Sequence, residues 1–451
     1  MTRFDPTARF QQERLPRYTS YPTAPHFSDA ISQETYGRWL AFMPGGVSGS
    51  LYVHIPFCRS MCWYCGCHTT ITKHDAPIDD YLSILTREIN LVADRIGQIF
   101  PVRHVHFGGG TPTIMAPGSF VELVTLIRKR FPFAADAEIA VEIDPRTLSD
   151  TTVSALSAAG VTRASLGVQS LDPVVQRAVN RVQDLDQIAR ATEDLRNAGI
   201  SGVNFDLIYG LPHQTVVSCV ETVLQCVALR PDRFAVFGYA HVPQFKKHQR
   251  KIDEATLADS TGRLAQAEAI AALLMEAGYK RIGFDHFALP DDAITRAQSS
   301  GRLRRNFQGY TTDPGDVLIG FGASAIGRLS QGYVQNEVAL PRYAERIARG
   351  ELATSKGYAL TADDRLRAEV IERLMCDFRV DVDEVCRKHA VRPDVLLHAN
   401  QRLCDLVAEG LVEIDGPIIS VSEEASILVR SVASAFDAYL GSSNRPYSRA
   451  V

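Results

Sequence analysis

The amino-acid sequence predicts an α/β protein built on a parallel β-sheet. Between residues 50 and 245, six short β-rich runs alternate with segments of helical periodicity. In the first such segment, Leu82, Leu85, Ile89, Val92 and Ile96 recur at the spacing of one helix face, and glycines close two later helices. Six βα units in series form a parallel sheet, which is rolled into a partial barrel or left doubly wound.

The predicted strands bring polar residues to one edge of that sheet. Ligands gather at the carboxyl ends of parallel strands, where the sequence has a cysteine run, a glycine triplet, Glu142, Gln169, Asp206 and Ala240. Glu142 also fits an ordinary strand exit, and Asp206 a loop. A carboxylate in an apolar strand nevertheless needs a hydrogen-bonding partner or a ligand. The predicted strands span residues 50–57, 103–107, 138–143, 163–168, 202–208 and 233–239.

Three cysteines follow the first predicted strand. Cys58, Cys62 and Cys65 form a C-x3-C-x2-C run, and thiolates at short fixed spacings are the usual ligands of iron–sulfur clusters. Three ligands leave one iron of a [4Fe–4S] cluster open. A zinc knuckle completed by Cys67 or His68 is the alternative. A disulfide is disfavoured, because the cysteines show no paired framework and the chain starts without a leader.

A glycine triplet, residues 108–110, follows the second predicted strand. Glycine lets the backbone approach a ligand closely, and its exposed N–H and C=O groups can grip an amino acid moiety. A lone triplet is more often a plain turn. One βα unit after the cysteines, it indicates a ligand-binding turn.

Length and charge fit a large soluble enzyme. The 451 residues exceed one ordinary domain and accommodate a barrel of about 200 to 250 residues with a further unit. No apolar run approaches the roughly 18 residues of a membrane span, so the expected location is the cytoplasm. The net charge of −4 argues against wholesale nucleic-acid binding. The expected divisions are residues 1–49, 50–360 and 361–451.

The last division is predicted to be mainly α-helical. Helical patterns at residues 363–375, 382–389 and 395–409 precede a hairpin of residues 411–414 and 418–421, which suggests a winged helix. DNA binding is disfavoured because acidic residues outnumber basic ones there. A packing or lid role over the barrel is expected.

The cysteine and glycine motifs resemble those of the radical S-adenosylmethionine superfamily. Further segments resemble one family within it, the bacterial oxygen-independent coproporphyrinogen III oxidases (coproporphyrinogen dehydrogenases), over nearly the whole chain. The first division then corresponds to a segment that covers the active site, and Cys67 completes the family pattern C-x3-C-x2-C-x-C. The segments are residues 16–27, 142–146, 167–169, 206–212, 239–243 and 305–312.

The resemblance implies a partial (β/α)6 TIM-like barrel of the radical S-adenosylmethionine type. It also implies a [4Fe–4S] cluster held by Cys58, Cys62 and Cys65, with Cys67 outside the ligand set. Tyr64 departs from the phenylalanine familiar in relatives. Two S-adenosylmethionine molecules are implied at Tyr52, Tyr64, Gly109, Gly110, Thr111, Glu142, Gln169, Arg181, Asp206, Ala240 and Ile326.

The chemistry implied is oxygen-independent oxidative decarboxylation. A 5′-deoxyadenosyl radical takes hydrogen from two propionates of coproporphyrinogen III, which become the vinyl groups of protoporphyrinogen IX, with Glu142 and Gln308 at the reaction centre. Arginine pairs well with carboxylates, so Arg302, Arg304 and Arg305 are candidate substrate anchors, although a solvated basic run explains them equally well. The implied partners are an electron donor such as flavodoxin or ferredoxin, and the expected state is a monomer.

Two other functions fit the motifs less well. A related haem-binding chaperone shares the first three cysteines and the glycine turn but generally lacks the fourth cysteine and the N-terminal segment. The second rival is a radical methyltransferase or a haem-degrading relative.

Overall fold

A computed structural model describes residue 10, residues 13–313 and residues 317–441. The ends of the predicted N-terminal and C-terminal divisions therefore lie outside the described residues. In chain order the strands are β1 (Gly49–Ile55), β2 (Phe57–Cys58), β3 (Thr70–Ile71), β4 (Val102–Gly109), β5 (Phe133–Ile143), β6 (Arg163–Gln169), β7 (Gly202–Tyr209), β8 (Arg233–Gly238), β9 (Lys280–Ile282), β10 (His286–Ala288), β11 (Arg304–Asn306), β12 (Gly309–Thr311), β13 (Val317–Phe321), β14 (Ile326–Leu329), β15 (Gly332–Asn336), β16 (Thr354–Ala359), β17 (Arg379–Asp381), β18 (Val412–Asp415) and β19 (Ile418–Val421).

The helices connect and cover these strands. They are α1 (Gln33–Ala41), α2 (Ala76–Ala93), α3 (Pro117–Arg130), α4 (Asp150–Ala158), α5 (Pro173–Ala178), α6 (Leu185–Asn197), α7 (Val216–Ala228), α8 (Ser260–Glu276), α9 (Ala293–Ser299), α10 (Leu340–Ala348), α11 (Ala362–Asp377), α12 (Val382–Lys388), α13 (Asp394–Leu397), α14 (Gln401–Ala408) and α15 (Val429–Ala433).

One 12-stranded sheet contains all six predicted strands in their predicted order. The strands β1, β4, β5, β6, β7 and β8 are parallel neighbours, so the predicted α/β fold with a parallel sheet is confirmed. Beyond β1 the sheet continues through parallel β13 to antiparallel β14, β15 and β16. Beyond β8 it continues through antiparallel β10 and β9.

Alternation along the strands separates an apolar outside from a polar inside. Val105 and Phe107 of β4 are buried in the main apolar core, while His104 and His106 line an interior cavity. The same cavity is lined by residues of β1 and of β8. The sheet therefore curls around this space as a partial barrel and is not flat and doubly wound.

A buried carboxylate ties the barrel to its sheet extension. Glu88 of α2 is 1% exposed and accepts hydrogen bonds from the Gly322 N–H, the Asn336 amide and the Tyr343 hydroxyl, at 2.7, 2.6 and 2.7 Å. These donors satisfy a charge that would otherwise be costly to bury. Burial still raises the pKa of Glu88 to about 7.

The C-terminal division has helices and a three-stranded sheet in the order β17–β19–β18, as a winged helix would. The prediction of one helix over residues 395–409 is wrong. Ala399 has φ +57°, which breaks the helix, and the Asn400 side chain caps the second piece by accepting from the Leu403 N–H at 3.0 Å.

The N-terminal segment packs on both larger units. Tyr18 and Tyr21 share an apolar core with the C-terminal helices, and the Tyr18 hydroxyl donates to Asp437 at 3.0 Å. Further along, Tyr36 and Leu40 of α1 pack into the barrel core. In the part of the chain that the structure describes, no helix is both long and apolar enough to cross a membrane.

Candidate active site

The three cysteines of the predicted cluster lie on one loop directly after β1. Cys58 ends β2, which pairs with β3, and the Cys58 carbonyl accepts from the Thr72 N–H at 3.1 Å. Cys62 is buried, and the Cys65 N–H donates to its carbonyl at 3.1 Å. All three thiols are free of disulfides. The backbone thus fixes the loop and leaves the sulfur atoms available to a metal centre.

The surroundings of the three thiols fit thiolate ligands. Two threonine hydroxyls lie 3.3 Å from the Cys58 sulfur, and the guanidinium groups of Arg146 and Arg181 donate to the Cys62 sulfur at 3.6 and 3.5 Å. A hydrogen bond from a neighbouring cysteine thiol lowers the pKa of Cys65 to about 7. Burial raises the pKa of Cys58, but metal binding deprotonates a coordinating thiol. The donor set therefore fits a [4Fe–4S] cluster.

Among the described residues, no three His, Cys, Asp or Glu side chains converge as the ligands of a single metal ion would. A four-iron cluster is larger than one ion, so its ligands stand further apart. The fit to a cluster therefore rests on the chemistry around the thiols.

The glycine turn after β4 packs against the cysteine loop. Gly109 has φ +112°, and a Cβ there would lie 2.5 Å from an imidazole ring of β1, while a Cβ on Gly110 would lie 2.5 Å from the Phe57 carbonyl oxygen. The N–H groups of Gly110 and Thr111 donate to the carbonyls of Ile55 and Phe57 at 2.9 and 2.8 Å. These two amides hold the turn in place and are not free to bind a ligand.

Glu142 lies beside this turn, at the end of β5. Its carboxylate contacts His106 Nε2 at 3.1 Å and accepts from the Gly109 N–H at 3.2 Å. Burial alone would raise the pKa of Glu142, but the hydrogen bonds from His106 and Gly109 outweigh it, so the pKa is lowered. The Tyr52 ring stacks on His106 at 5.9 Å. Glu142 is therefore an ionised acceptor next to the glycine turn, suited to a cationic or hydroxylic ligand.

Arg181 connects the cysteine loop to the strand ends. Its guanidinium forms an ion pair with Asp144 at 3.4 Å and donates to the Gly167 carbonyl at 2.6 Å, besides its contact with Cys62. Gln169, at the end of β6, has φ +66°, and its side-chain amide lies beside the same glycine. Arg181 thus holds both the thiol and the β6 terminus in position.

Asp206 and Gln308 line the interior cavity together with Glu142. The cavity has a volume of about 170 Å³. Asp206 accepts from the Ser165 hydroxyl at 3.0 Å, and burial together with the nearby Glu142 charge raises its pKa to about 7. Gln308 comes from the hairpin of β11 and β12, outside the six βα units. The structure thus brings both predicted reaction-centre residues to one cavity.

The three candidate anchor arginines lie in different surroundings. Arg305 is buried and forms an ion pair with Asp285 at 3.4 Å. Arg304 pairs with Glu372 at 2.7 Å, and Arg302 donates to a nearby serine hydroxyl at 2.9 Å. Because Arg305 is buried and paired with a carboxylate of the protein, the explanation as a solvated basic run is wrong for Arg305.

The other predicted contact residues lie on three different parts of the fold. The Tyr64 hydroxyl lies beside the Cys62 thiol and Arg181, and burial raises its pKa. The Ala240 carbonyl, just past β8, accepts from the Gln249 amide at 3.2 Å. Ile326 begins β14, and its backbone packs against Gly320, which pairs with Tyr52.

Sequence reasoning missed His106 and His54. His54 Nε2 lies 3.0 Å from the His68 carbonyl oxygen and its Nδ1 lies 3.0 Å from the Tyr52 hydroxyl, so it links β1 to the cysteine loop. His106 orients Glu142. Strand alternation in the sequence could have identified His106: its neighbours Val105 and Phe107 face the apolar side, so His106 faces the interior.

The chain is similar to several known proteins. Residues 52–226 match the Radical SAM superfamily. The chain is 58% identical over 449 residues to the oxygen-independent coproporphyrinogen III oxidase of Bradyrhizobium diazoefficiens, with 100% of both chains covered, and 42% identical to that of Paracoccus denitrificans, with 94% of both covered. The solved coproporphyrinogen III oxidase (HemN) of Escherichia coli, a radical SAM enzyme, superposes with a TM-score of 0.90 at 38% identity, covering 95% of this chain and 100% of that one.

Proposed function

Since the chain belongs to the oxygen-independent coproporphyrinogen III oxidases of the radical S-adenosylmethionine superfamily, we propose that it converts coproporphyrinogen III to protoporphyrinogen IX. Each of two propionate side chains loses one β-hydrogen atom to the 5′-deoxyadenosyl radical, releases one CO2 and passes one electron to an acceptor, and so becomes a vinyl group. The chain is accordingly an oxidoreductase that acts in haem biosynthesis.

One observation carries the proposal: a single cavity joins Glu142, beside the cysteine loop, to Gln308. The superfamily match ends at residue 226, so the hairpin that carries Gln308 belongs to the part of the chain that distinguishes this family. A propionate arm of the substrate that enters the cavity would meet residues of both parts. Its reacting carbon would then lie close to the cofactor residues, as hydrogen abstraction requires.

In this proposal the residues of the chain bind the cluster and the cofactor, orient the substrate and enclose the reaction. Cys58, Cys62 and Cys65 would hold the cluster, and Glu142 would accept hydrogen bonds from the cofactor. When bound, the cluster and S-adenosylmethionine supply one electron and a 5′-deoxyadenosyl radical that abstracts hydrogen from an unactivated carbon. The N-terminal segment reaches the same end of the barrel, since Arg17 donates to the Gly238 carbonyl at 3.3 Å beside the carboxyl end of β8, and its proposed role is to limit access of water.

Two S-adenosylmethionine molecules bind, and a flavodoxin or ferredoxin donates electrons. The enzyme works as a monomer in the cytoplasm, without a nucleic-acid or membrane partner. Analytical ultracentrifugation and equilibrium binding of S-adenosylmethionine test the monomer and the stoichiometry.

Anaerobic assay of the reconstituted protein tests the function. With dithionite, S-adenosylmethionine and coproporphyrinogen III, the protein should form protoporphyrinogen IX. Tight haem binding without product would instead identify a haem chaperone, and S-adenosylmethionine cleavage without vinyl formation would indicate another radical enzyme.

A further inference from the structure

A cationic segment lies directly against the cysteine loop. It follows β8, and Lys246 donates to the Cys67 carbonyl at 2.9 Å while His248 Nε2 lies 2.7 Å from the Cys65 carbonyl oxygen. The Gln249 amide donates to the Tyr64 carbonyl at 3.0 Å. Three successive contacts thus fix this segment to the part of the loop that would hold the cluster.

The outer side of this segment is basic and open to solvent. Lys247, Arg250 and Lys251 are exposed, and so is the Phe245 ring at 55%. From Arg233 to Ile252 the sequence contains no Asp or Glu, although the whole chain carries a net charge of −4. We name Phe245, Lys247, Arg250 and Lys251 the basic rim.

The basic rim borders the part of the cysteine loop that is closest to solvent. Cys62 is buried, whereas Cys65 is half-buried and Cys67 is exposed. Lys251 stacks over the Trp63 ring of the loop at 5.4 Å. A cluster held by the three thiols would therefore approach the surface beside the basic rim.

We propose that the basic rim is the docking surface for an acidic one-electron carrier protein. The inference rests on the proposed function, because only a cluster-bearing enzyme needs such a carrier. In each transfer the carrier loses one electron and the bound cluster gains it, and no bond forms or breaks. Transient redox partners use small interfaces and electrostatic steering, which an exposed aromatic ring within a cationic border suits.

Charge reversal on the basic rim tests the proposal. Lys247→Glu with Arg250→Glu changes two exposed side chains and leaves Lys246 and His248 in contact with the cysteine loop. The matched control is Lys129→Glu with Lys280→Glu, which makes the same change in net charge. Lys129 lies in the last turn of α3, just before β5 begins. Lys280 of β9 pairs with Ala288 of β10, and Ala288 in turn pairs with Arg233 at the start of β8. Both control sites are therefore at the opposite end of the barrel from the cysteine loop.

The probe is a purified acidic flavodoxin. Binding of its oxidised, isotope-labelled form to the cluster-loaded enzyme is followed by NMR, and the photoreduced form is used to reduce the cluster in stopped flow. At low ionic strength the rim variant should lower affinity and reduction rate about tenfold or more. The loss should shrink at high salt, because salt screens exposed charges. The neutral pair Lys247→Gln with Arg250→Gln should fall between wild type and the reversed variant.

Dithionite reduces the cluster without a docking protein, so it distinguishes a defect in carrier docking from a defect in catalysis. With dithionite, the rim variant should form product with wild-type KM for coproporphyrinogen. Unchanged flavodoxin binding and cluster reduction in the rim variant would overturn the proposal. So would a raised KM with dithionite at unchanged flavodoxin binding, which would assign the rim to the anionic substrate. Failure of the wild type to form product with dithionite would refute the proposed function, while the binding measurement would still decide on the docking surface.

Discussion

At the scale of single residues, the thiols expected to be cluster ligands differ in their surroundings and pKa from the neighbouring thiol of Cys67. The Cys62 sulfur accepts from two guanidinium groups, and Cys65 has a lowered pKa. Cys67, two residues further on, is exposed, and its pKa is raised chiefly by its hydrogen bond with Cys65. A proton is thus held on Cys67 while it is easily lost from Cys65, which fits a ligand set without Cys67.

We predict that serine at any one of Cys58, Cys62 or Cys65 prevents stable cluster assembly, because a thiolate ligand is lost. Cys67→Ser is the matched control and should retain about four irons per chain. Iron and sulfide analysis after anaerobic reconstitution checks this. Full iron loading of Cys58→Ser would contradict it, as would zinc in place of iron in the wild type.

A second prediction concerns Glu142. Glu142→Gln removes the charge but keeps the shape, so it should weaken S-adenosylmethionine binding without unloading the cluster. Hydrogen bonds to charged groups contribute about 1.5–3 kcal/mol, so the dissociation constant should rise about tenfold or more. Glu276→Gln, exposed on α8, is the control. Wild-type affinity in both variants would leave Glu142 as a structural strand-end residue.

Residues that act through local sequence could be predicted, and residues that act through distant partners could not. The thiol spacing and the acid at Glu142 were visible in the sequence. The ion pair of Arg305 was not, because Asp285 reaches it only when β10 and the β11–β12 hairpin come together. Charge pattern alone shows a basic run and not the carboxylates that neutralise it.

At the scale of elements, the β11–β12 hairpin brings Gln308 to the interior cavity. We predict that Gln308→Ala lowers protoporphyrinogen formation while the cluster and S-adenosylmethionine binding are retained, because the substrate loses a positioning contact. Product analysis at subsaturating coproporphyrinogen should show a loss of about tenfold or more, as expected for misplacement of a reacting group. Gln401→Ala, on an exposed helix start, should keep wild-type yield. Equal yields in the two variants would exclude Gln308 from substrate positioning.

The contact of α2 with the sheet extension predicts a pH dependence of stability. Because burial raises the pKa of Glu88 to about 7 from the ordinary 4.5, the folded protein keeps a proton that the unfolded chain has lost over this interval. Stability therefore falls as pH rises, and the contribution of Glu88 to the free energy of unfolding should decrease by about 3 kcal/mol between these values.

Glu88→Gln does not titrate and should flatten this dependence. Urea unfolding of cluster-free protein between about pH 5 and pH 8 measures the slope for wild type and variant. The exposed Glu276→Gln should keep the wild-type slope. A Glu88→Gln protein with the same slope as wild type would show that Glu88 titrates normally in the fold.

Elements with strong periodicity could be predicted, and those that depend on tertiary pairing could not. The predicted start of β6, Arg163, is the observed one, and β7 was predicted to within one residue. The antiparallel strands at both edges escaped prediction because β9 and β10 are short and because all of them gain stability only by pairing. The break at Ala399 has no glycine to signal it.

At the scale of the whole molecule, the N-terminal segment joins two apolar cores. Tyr18 and Tyr21 belong to the C-terminal core, while Tyr36 and Leu40 belong to the barrel core. Neither core is complete without this one stretch of chain. The barrel and the C-terminal unit should therefore unfold together.

We predict a single calorimetric transition, shifted down by a cavity in either core. Leu374 of the C-terminal core and Leu195 of the barrel core are both 0% exposed, and leucine-to-alanine changes at such sites cost about 2–5 kcal/mol. Each of Leu374→Ala and Leu195→Ala should lower the same single transition. A second, separate transition in Leu374→Ala would show that the C-terminal unit unfolds alone.

The half-open position of Cys65 beside the surface has a consequence for where the enzyme can work. A site from which a carrier protein can reach a cluster is also within reach of dissolved dioxygen, a far smaller molecule. Within the described residues, the opening that would let a carrier approach Cys65 is also wide enough for dioxygen. Protection from air must then come from the habitat or the metabolism of the cell, and the protein can be used only while its surroundings stay anoxic.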